Sequence, residues 1–175
     1  MNCKPKKKSI SVRLGATTPS YDLEHPVDQT YPYGHVTEKS ILAALQEMEG
    51  EQLQEPPVYS AKMIEGRRAY EYAREGEEVR MRRALVNIYE IAPERIDLPD
   101  VTLRVRCSKG TYIRSIARDL GEKLSCGGHL TALRRTRSGA FSEQDLYTIE
   151  EVERRLSSAP PTQSASSVSP VSPVK

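Results

Sequence analysis

Between residues 9 and 14 apolar and polar positions alternate. Ile10, Val12 and Leu14 interleave with Ser9, Ser11 and Arg13, a period of two that predicts a strand with one buried face. "GATTPSYD" follows as a turn-rich connection, and residues 22–36 read as irregular or short-strand chain. The period then changes. Thr37 is placed to cap a helix whose apolar face is Ile41, Leu42, Leu45 and Met48, with Gly50 closing it. Pro56 and Pro57 hold an extended lead-in, and Gly66 opens a short helix over 67–74 that Gly76 ends. Strands are predicted over 85–91 and, with the clearest alternation in the chain, over 101–107. A helix capped by Thr111 then buries Ile113, Ile116, Ala117, Leu120 and Leu124, leaving Arg114 and Arg118 on its other face. After Gly127 and Gly128 comes a short apolar element ending in the basic run around Thr136. A last helix over 146–156 is expected to turn Ile149, Val152 and Leu156 inward.

Composition changes this picture at both ends. The 175 residues are 37% hydrophobic and 29% charged, enough for one domain with a core. The stretch 157–175 holds seven Ser, four Pro and a single charge, so it is expected to be a disordered tail. The opening "MNCKPKKKS" is basic with no apolar run behind it, and nowhere does an apolar stretch approach a membrane span. A soluble chain is expected. Cys3, Cys107 and Cys126 form no CxxC pair, which suits a reduced, cytoplasmic compartment. Cys126 and His129 have ligand-like spacing, but no second pair completes a metal site.

The net charge is only +2, yet Arg104, Arg106, Lys109, Arg114, Arg118, Lys123, Arg134, Arg135 and Arg137 crowd one segment against Asp119 and Glu122. Such a segment suits a polyanion such as RNA. The strand leading into "SKGT" and a helix start makes a corner that a phosphate could approach, with Gly110 permitting close backbone contact and N–H groups of 111–114 pointing outward. Arg114 sits in the first turn of that helix. A cation there opposes the helix dipole at a cost of a few tenths of a kcal/mol, so it asks for a nearby anion.

Three longer stretches carry a resemblance. "PPVYSAKMIEGRRAYEYAREG" resembles the PP-x-YSA-x-K-x-x-G block of the TruB family of tRNA pseudouridine synthases. "CSKGTYIRSIARDLGEKL" followed by "HLTALRRTRSG" resembles that family's later catalytic-domain motifs, and "VRLGATTPSYDLE" is similar to its first strand and turn. The match spans residues 10–156 as a partial catalytic domain, with 1–9 resembling nothing in the family. It implies an α+β fold, a mixed and mainly antiparallel sheet with flanking helices. It also implies isomerisation of a uridine in the T-loop of tRNA, at position 55, after the nucleotide has been flipped out of its stack. No metal or cofactor is implied, and the partner would be the T-arm stem-loop, met by a monomer.

By position in the motifs, Tyr112 would stack on the flipped base, Arg114 would pair with the catalytic aspartate, and Leu133 would close the apolar wall. Lys62, Arg67, Arg68, Lys109, Arg134 and Arg135 would meet RNA. The family's second aromatic falls on Lys8. Its aspartate stands in a G-x-L-D-P-x-A-(T/S)-G loop, and none of Asp22, Asp28, Asp97, Asp100, Asp119 and Asp145 has that context. The chain is therefore expected to begin late within the family's layout and to lack synthase activity as written. The alternative is a non-catalytic RNA-binding or tRNA-folding remnant.

Overall fold

The computed structural model describes residues 6–158. Residues 1–5 and, of the tail expected from 157, residues 159–175 lie outside them, while Ser157 and Ser158 are helical. Residues through Gln144 form one compact unit, and a second begins at Asp145.

In the first unit six strands form one sheet. In chain order they are β1 (Lys6–Leu14), β4 (Gly50–Gln54), β7 (Ala84–Asp97), β8 (Asp100–Cys107), β9 (Gly128–Ser138) and β10 (Phe141–Ser142). Across the sheet the order is β10-β9-β1-β8-β7-β4, and each pairing among the described residues is antiparallel. The expected α+β class is what the chain adopts. Two short ribbons stand apart, β2 (Ala16–Thr17) with β3 (Gln29–Thr30), and β5 (Met63–Ile64) with β6 (Arg67–Arg68).

Alternation decides which side of the sheet is covered. Ile10, Val12 and Leu14 of β1 and Val101, Leu103, Val105 and Cys107 of β8 are all buried. They pack with α1 (Glu38–Glu47) through Ile41, Ala44 and Leu45, and with α3 (Ile113–Lys123) through Ile113, Ile116, Ala117 and Leu120, in one core. The opposite face carries charges. There Arg104 pairs with Glu90 at 3.4 Å, Arg106 with Glu90 at 3.4 Å, and Arg13 with Asp100 at 2.8 Å.

Thr37 caps α1 as expected. Its hydroxyl accepts the Ser40 N–H at 3.2 Å while the Ser40 hydroxyl accepts the Thr37 N–H at 2.9 Å, a reciprocal cap. Leu42 is 44% exposed, because it lies one residue, ~100° of helix, off the stripe of Ile41, Leu45 and Met48. Gly66 does not open a helix. With Glu65 it makes a hairpin turn in which both φ angles are positive, 48° and 87°, as a type I′ hairpin turn requires. α2 (Ala69–Glu75) therefore starts later than expected, and Gly76 closes it in the left-handed conformation. β4 went unread because its "GEQLQ" has a single strong apolar residue. The element after Gly128 is an eleven-residue strand, drawn out by pairing with β1 from Lys6 to Leu14.

The second unit is described by α4 (Ile149–Ser158). Thr148 and Glu151 cap it reciprocally, at 2.8 Å and 3.2 Å. The expected inward stripe is not formed: Ile149 and Leu156 are 76% and 72% exposed.

Candidate functional site

The strand β8 passes into the turn Ser108–Gly110, whose Gly110 has φ 88°, open only to glycine without strain. Thr111 closes this turn instead of capping the helix, its hydroxyl donating to the Ser108 carbonyl at 3.0 Å. The cap position falls to Tyr112, whose side chain makes no cap bond. Gln54 of β4 supplies what is missing. Its Oε1 accepts the Tyr112 N–H at 2.8 Å and its Nε2 donates to the Tyr112 carbonyl at 3.1 Å, at a position only 2% exposed. Ser115 adds a bond to the Glu55 carbonyl at 2.7 Å. The corner expected to be open to a phosphate is thus partly closed, since one of its N–H groups already has a protein partner.

Arg114 has found its anion. Its Nη1 lies 3.2 Å from Asp22 Oδ2, with the two side chains 23% and 24% exposed. Asp22 is held by its own turn: its Oδ1 accepts from the Ser20 hydroxyl at 2.6 Å and from the Glu24 N–H at 3.0 Å, and its carbonyl accepts from Thr18 at 2.7 Å. The Leu130 N–H donates to the Tyr21 carbonyl at 2.9 Å, which docks the turn on β9. Asp22 and Leu133 consequently line one groove of about 290 Å³. Leu133 stands opposite Ile10 across the β1–β9 pairing and is 52% exposed. The structure therefore brings Asp22 together with Arg114 in an ion pair and with Leu133 in one groove, while Tyr112 holds the cap position of α3 two residues before Arg114.

Two charges nearby are perturbed. Lys8 is buried on the core side of β1, opposite Val105 and Arg135. Burial pushes its ammonium below the ordinary lysine range. The Cys107 thiol works against the shift, while Arg135 and Lys6 add to it. Asp119 is raised by burial, while Arg118, whose Nε and Nη2 lie 2.8 Å and 2.6 Å from one of its oxygens, pulls the other way.

The expected RNA-contacting residues divide into two groups. Arg67 is paired with Glu75 at 2.7 Å and lies over the Tyr72 ring at 4.5 Å. Lys62 donates to the Arg82 carbonyl at 2.6 Å, and Arg68 to the Ala61 carbonyl at 3.4 Å. These three are gathered around the β5–β6 hairpin. Lys109 and Arg135 stand exposed, and Arg134 is 75% exposed with Glu143 at 3.2 Å. His129 places Nδ1 on the Ala16 carbonyl at 3.0 Å, and Cys126 is a free buried thiol.

An antiparallel six-stranded sheet backed by two helices, with the Arg114–Asp22 pair beside the groove that Leu133 lines, defines an α+β domain. The family model described as TruB family pseudouridylate synthase (N terminal domain) matches residues 1–113, and the tRNA pseudouridylate synthase B C-terminal domain matches 114–170. The chain belongs to the TruB family of pseudouridine synthases.

Among its relatives, tRNA pseudouridine synthase B of Bacteroides thetaiotaomicron is 49% identical over 80% of this chain and 60% of its own. That of Flavobacterium johnsoniae is 45% identical over 82% and 62%, and that of Mycobacterium bovis 41% identical over 86% and 52%. The chain thus spans between half and two thirds of these relatives. Among solved structures, the crystal structure of a Cbf5-Nop10-Gar1 complex aligns with TM-score 0.60 and 30% identity, covering 85% of this chain and 35% of that one. An H/ACA RNP bound to a substrate RNA containing 2'-deoxyuridine aligns with TM-score 0.56 and 26% identity, covering 85% and 33%.

Proposed function

We propose that this chain contributes the base-holding half of a site that isomerises uridine to pseudouridine in the T-loop of tRNA. The observation that carries the reading is the groove in which Leu133 and the Arg114–Asp22 pair meet. In that reaction the N1–C1′ bond breaks, the uracil turns over, a C5–C1′ bond forms, the C5 proton leaves and N1 gains one. Tyr112 holds the freed ring by stacking, Leu133 excludes water from its edge, and Arg114 supplies fixed positive charge for a carboxylate at the sugar. Lys109, Arg134 and Arg135 meet the phosphates of the T-arm, with Lys62, Arg67 and Arg68 on the hairpin. The free thiols of Cys107 and Cys126 support a reducing compartment, the cytoplasm. Among the described residues no helix is long and apolar enough to cross a membrane.

Tritium release from tRNA labelled at C5 of uridine tests the reading. The 175 residues alone should release none, because no aspartate in them stands in the family's G-x-L-D-P-x-A-(T/S)-G loop. A protein carrying that loop ahead of Met1 should turn over, and Arg114→Met should abolish its turnover. Release by the 175 residues alone, or a loop-bearing protein indifferent to Arg114→Met, would overturn it.

A further inference from the structure

Toward Lys6 the core side of β1 turns from apolar to charged. Lys8 continues the buried row of Leu14, Val12 and Ile10 and is itself only 6% exposed. Directly opposite stand Val105 of β8 and Arg135 of β9, and Lys6 lies two residues along the same face, opposite Cys107. Like charges that face each other across a strand pair are destabilising. Beyond burial, Arg135 and Lys6 both push the Lys8 ammonium toward its neutral form, while the Cys107 thiol acts the other way.

Other cations of the sheet are matched. Arg13 is paired with Asp100, Arg104 and Arg106 with Glu90, and Arg134 with Glu143, all at 3.4 Å or less. Lys6, Lys8 and Arg135 have no ion pair or hydrogen bond among the described residues. The strand geometry also changes here. Lys7 stands opposite Arg137 and Lys8 opposite Arg135, so β9 carries one extra residue, Thr136, between the two pairs. Such a bulge bends its strand and re-aims side chains, and is over-represented beside active sites. The Lys8 nitrogen is not sealed in. Among the described residues the fully enclosed side-chain nitrogens and oxygens without a partner belong to His25 and Ser60, so the Lys8 ammonium keeps an opening to solvent.

A buried cation without a counter-ion is costly to fold around, and a buried ammonium with two further cations near it calls for an anion. A phosphate presents its oxygens as a tetrahedron, so it can meet an ammonium and a guanidinium at once, whereas a carboxylate has two oxygens in one plane. We propose that Lys6, Lys8 and Arg135 form a phosphate-binding site, with Lys8 as its floor and the exposed Arg135 at its rim. It lies one cross-strand pair beyond Leu133 and Ile10, about 7 Å along the strands. It shares Arg135 with the proposed tRNA contact but stands on the buried ammonium, and it needs no isomerisation in order to bind.

Binding of inorganic phosphate to the 175-residue chain, followed by phosphorus NMR at constant ionic strength, tests this. The unmutated chain should broaden the phosphate resonance saturably, and acetate at the same concentration should not displace the bound phosphate. Lys8→Met places an apolar chain of similar length beside Val105; it should fold and weaken phosphate at least about tenfold. Arg135→Ala changes an exposed residue, should weaken phosphate several-fold, and decides the matter if Lys8→Met does not fold. Absence of saturable binding, displacement by acetate, or phosphate binding indifferent to the folded variants overturns the proposal. A T-arm stem-loop distinguishes the sources of the phosphate. If it belongs to RNA, Lys8→Met should flatten the slope of log K against log salt by about one; an unchanged slope beside lost phosphate binding assigns the site to a free phosphate compound. No uridine turnover enters any of these readouts, so they stand apart from the fate of the proposed isomerisation.

Discussion

Replacing Asp22 by Asn removes one charge and almost nothing else. The amide keeps an oxygen where Oδ1 accepts from Ser20 and Glu24, so the turn survives while Arg114 loses its counter-ion at 3.2 Å. Direct attraction at that separation is roughly 5 kcal/mol at an effective dielectric near 20. Desolvating two groups that are each about one quarter exposed offsets most of it. A net coupling of about 1–2 kcal/mol remains, above the range of about 0.2–1 kcal/mol for exposed pairs. For a domain of this size that corresponds to a melting temperature lower by about 2–8 °C. The assay is a double-mutant cycle in urea with Asp22→Asn, Arg114→Gln and both together, repeated at 1 M salt. The coupling should persist at high salt, because the pair is partly shielded. The same cycle on Arg95 and Asp97, paired at 2.6 Å but 73% and 66% exposed, should give a small value that salt erases. A coupling between Asp22 and Arg114 below about 0.3 kcal/mol would refute the reasoning.

Three further outcomes follow from other parts of the molecule. Gln54→Ala should destabilise by about 1–3 kcal/mol in urea unfolding, since the Tyr112 N–H loses its partner and the Tyr112 carbonyl keeps only the Ile116 N–H at 3.3 Å; a loss under about 0.5 kcal/mol would remove Gln54 from its role. Changing Arg134 and Arg135 to Ala should flatten the slope of log K against log salt for T-arm RNA by about two, if each meets one phosphate, and an unchanged slope would exclude them. Lys8 is held below its ordinary value by burial, so the unfolded chain binds more protons and stability should rise with pH from the folded-state value up to about 10.5. Lys8→Met should raise the melting temperature at neutral pH and abolish that alkaline gain, and an unaltered pH profile in the variant would show that Lys8 is not its source.

Local periodicity and long-range partnership were legible to different degrees. The strands over β1 and β8 and the stripe of α3 announce themselves, because an alternating or 3.6-residue pattern is imposed by which side of each element is buried. Arg114 could be singled out because a cation at a helix start is locally unfavourable. Its partner could not, because Asp22 is ninety-two residues away and nothing in "PSYD" points to α3. Gln54 was hidden for the same reason: a buried glutamine clamping a distant backbone looks, in sequence, like a surface residue before two prolines. Lys8 was misleading in the opposite sense, since a run of three lysines reads as solvated tail until β9 covers one side of β1. The apolar stripe of α4 was real as a pattern, yet exposed in place.

The position of β1 in the middle of the sheet has a consequence for the protein's birth. Its neighbours, β8 and β9, begin at Asp100 and Gly128, so the first of these strands to leave the ribosome is the one whose partners leave last. At about 5–20 residues per second, β1 must wait on the order of ten seconds with its apolar side open. The β7–β8 hairpin can close from local contacts, but β1 has to be inserted between strands from the far end of the chain, a step of high contact order. The interval before that insertion is when a nascent-chain chaperone would be needed, and pulse proteolysis of stalled chains should find Lys6–Leu14 cleavable until Ser138 has emerged.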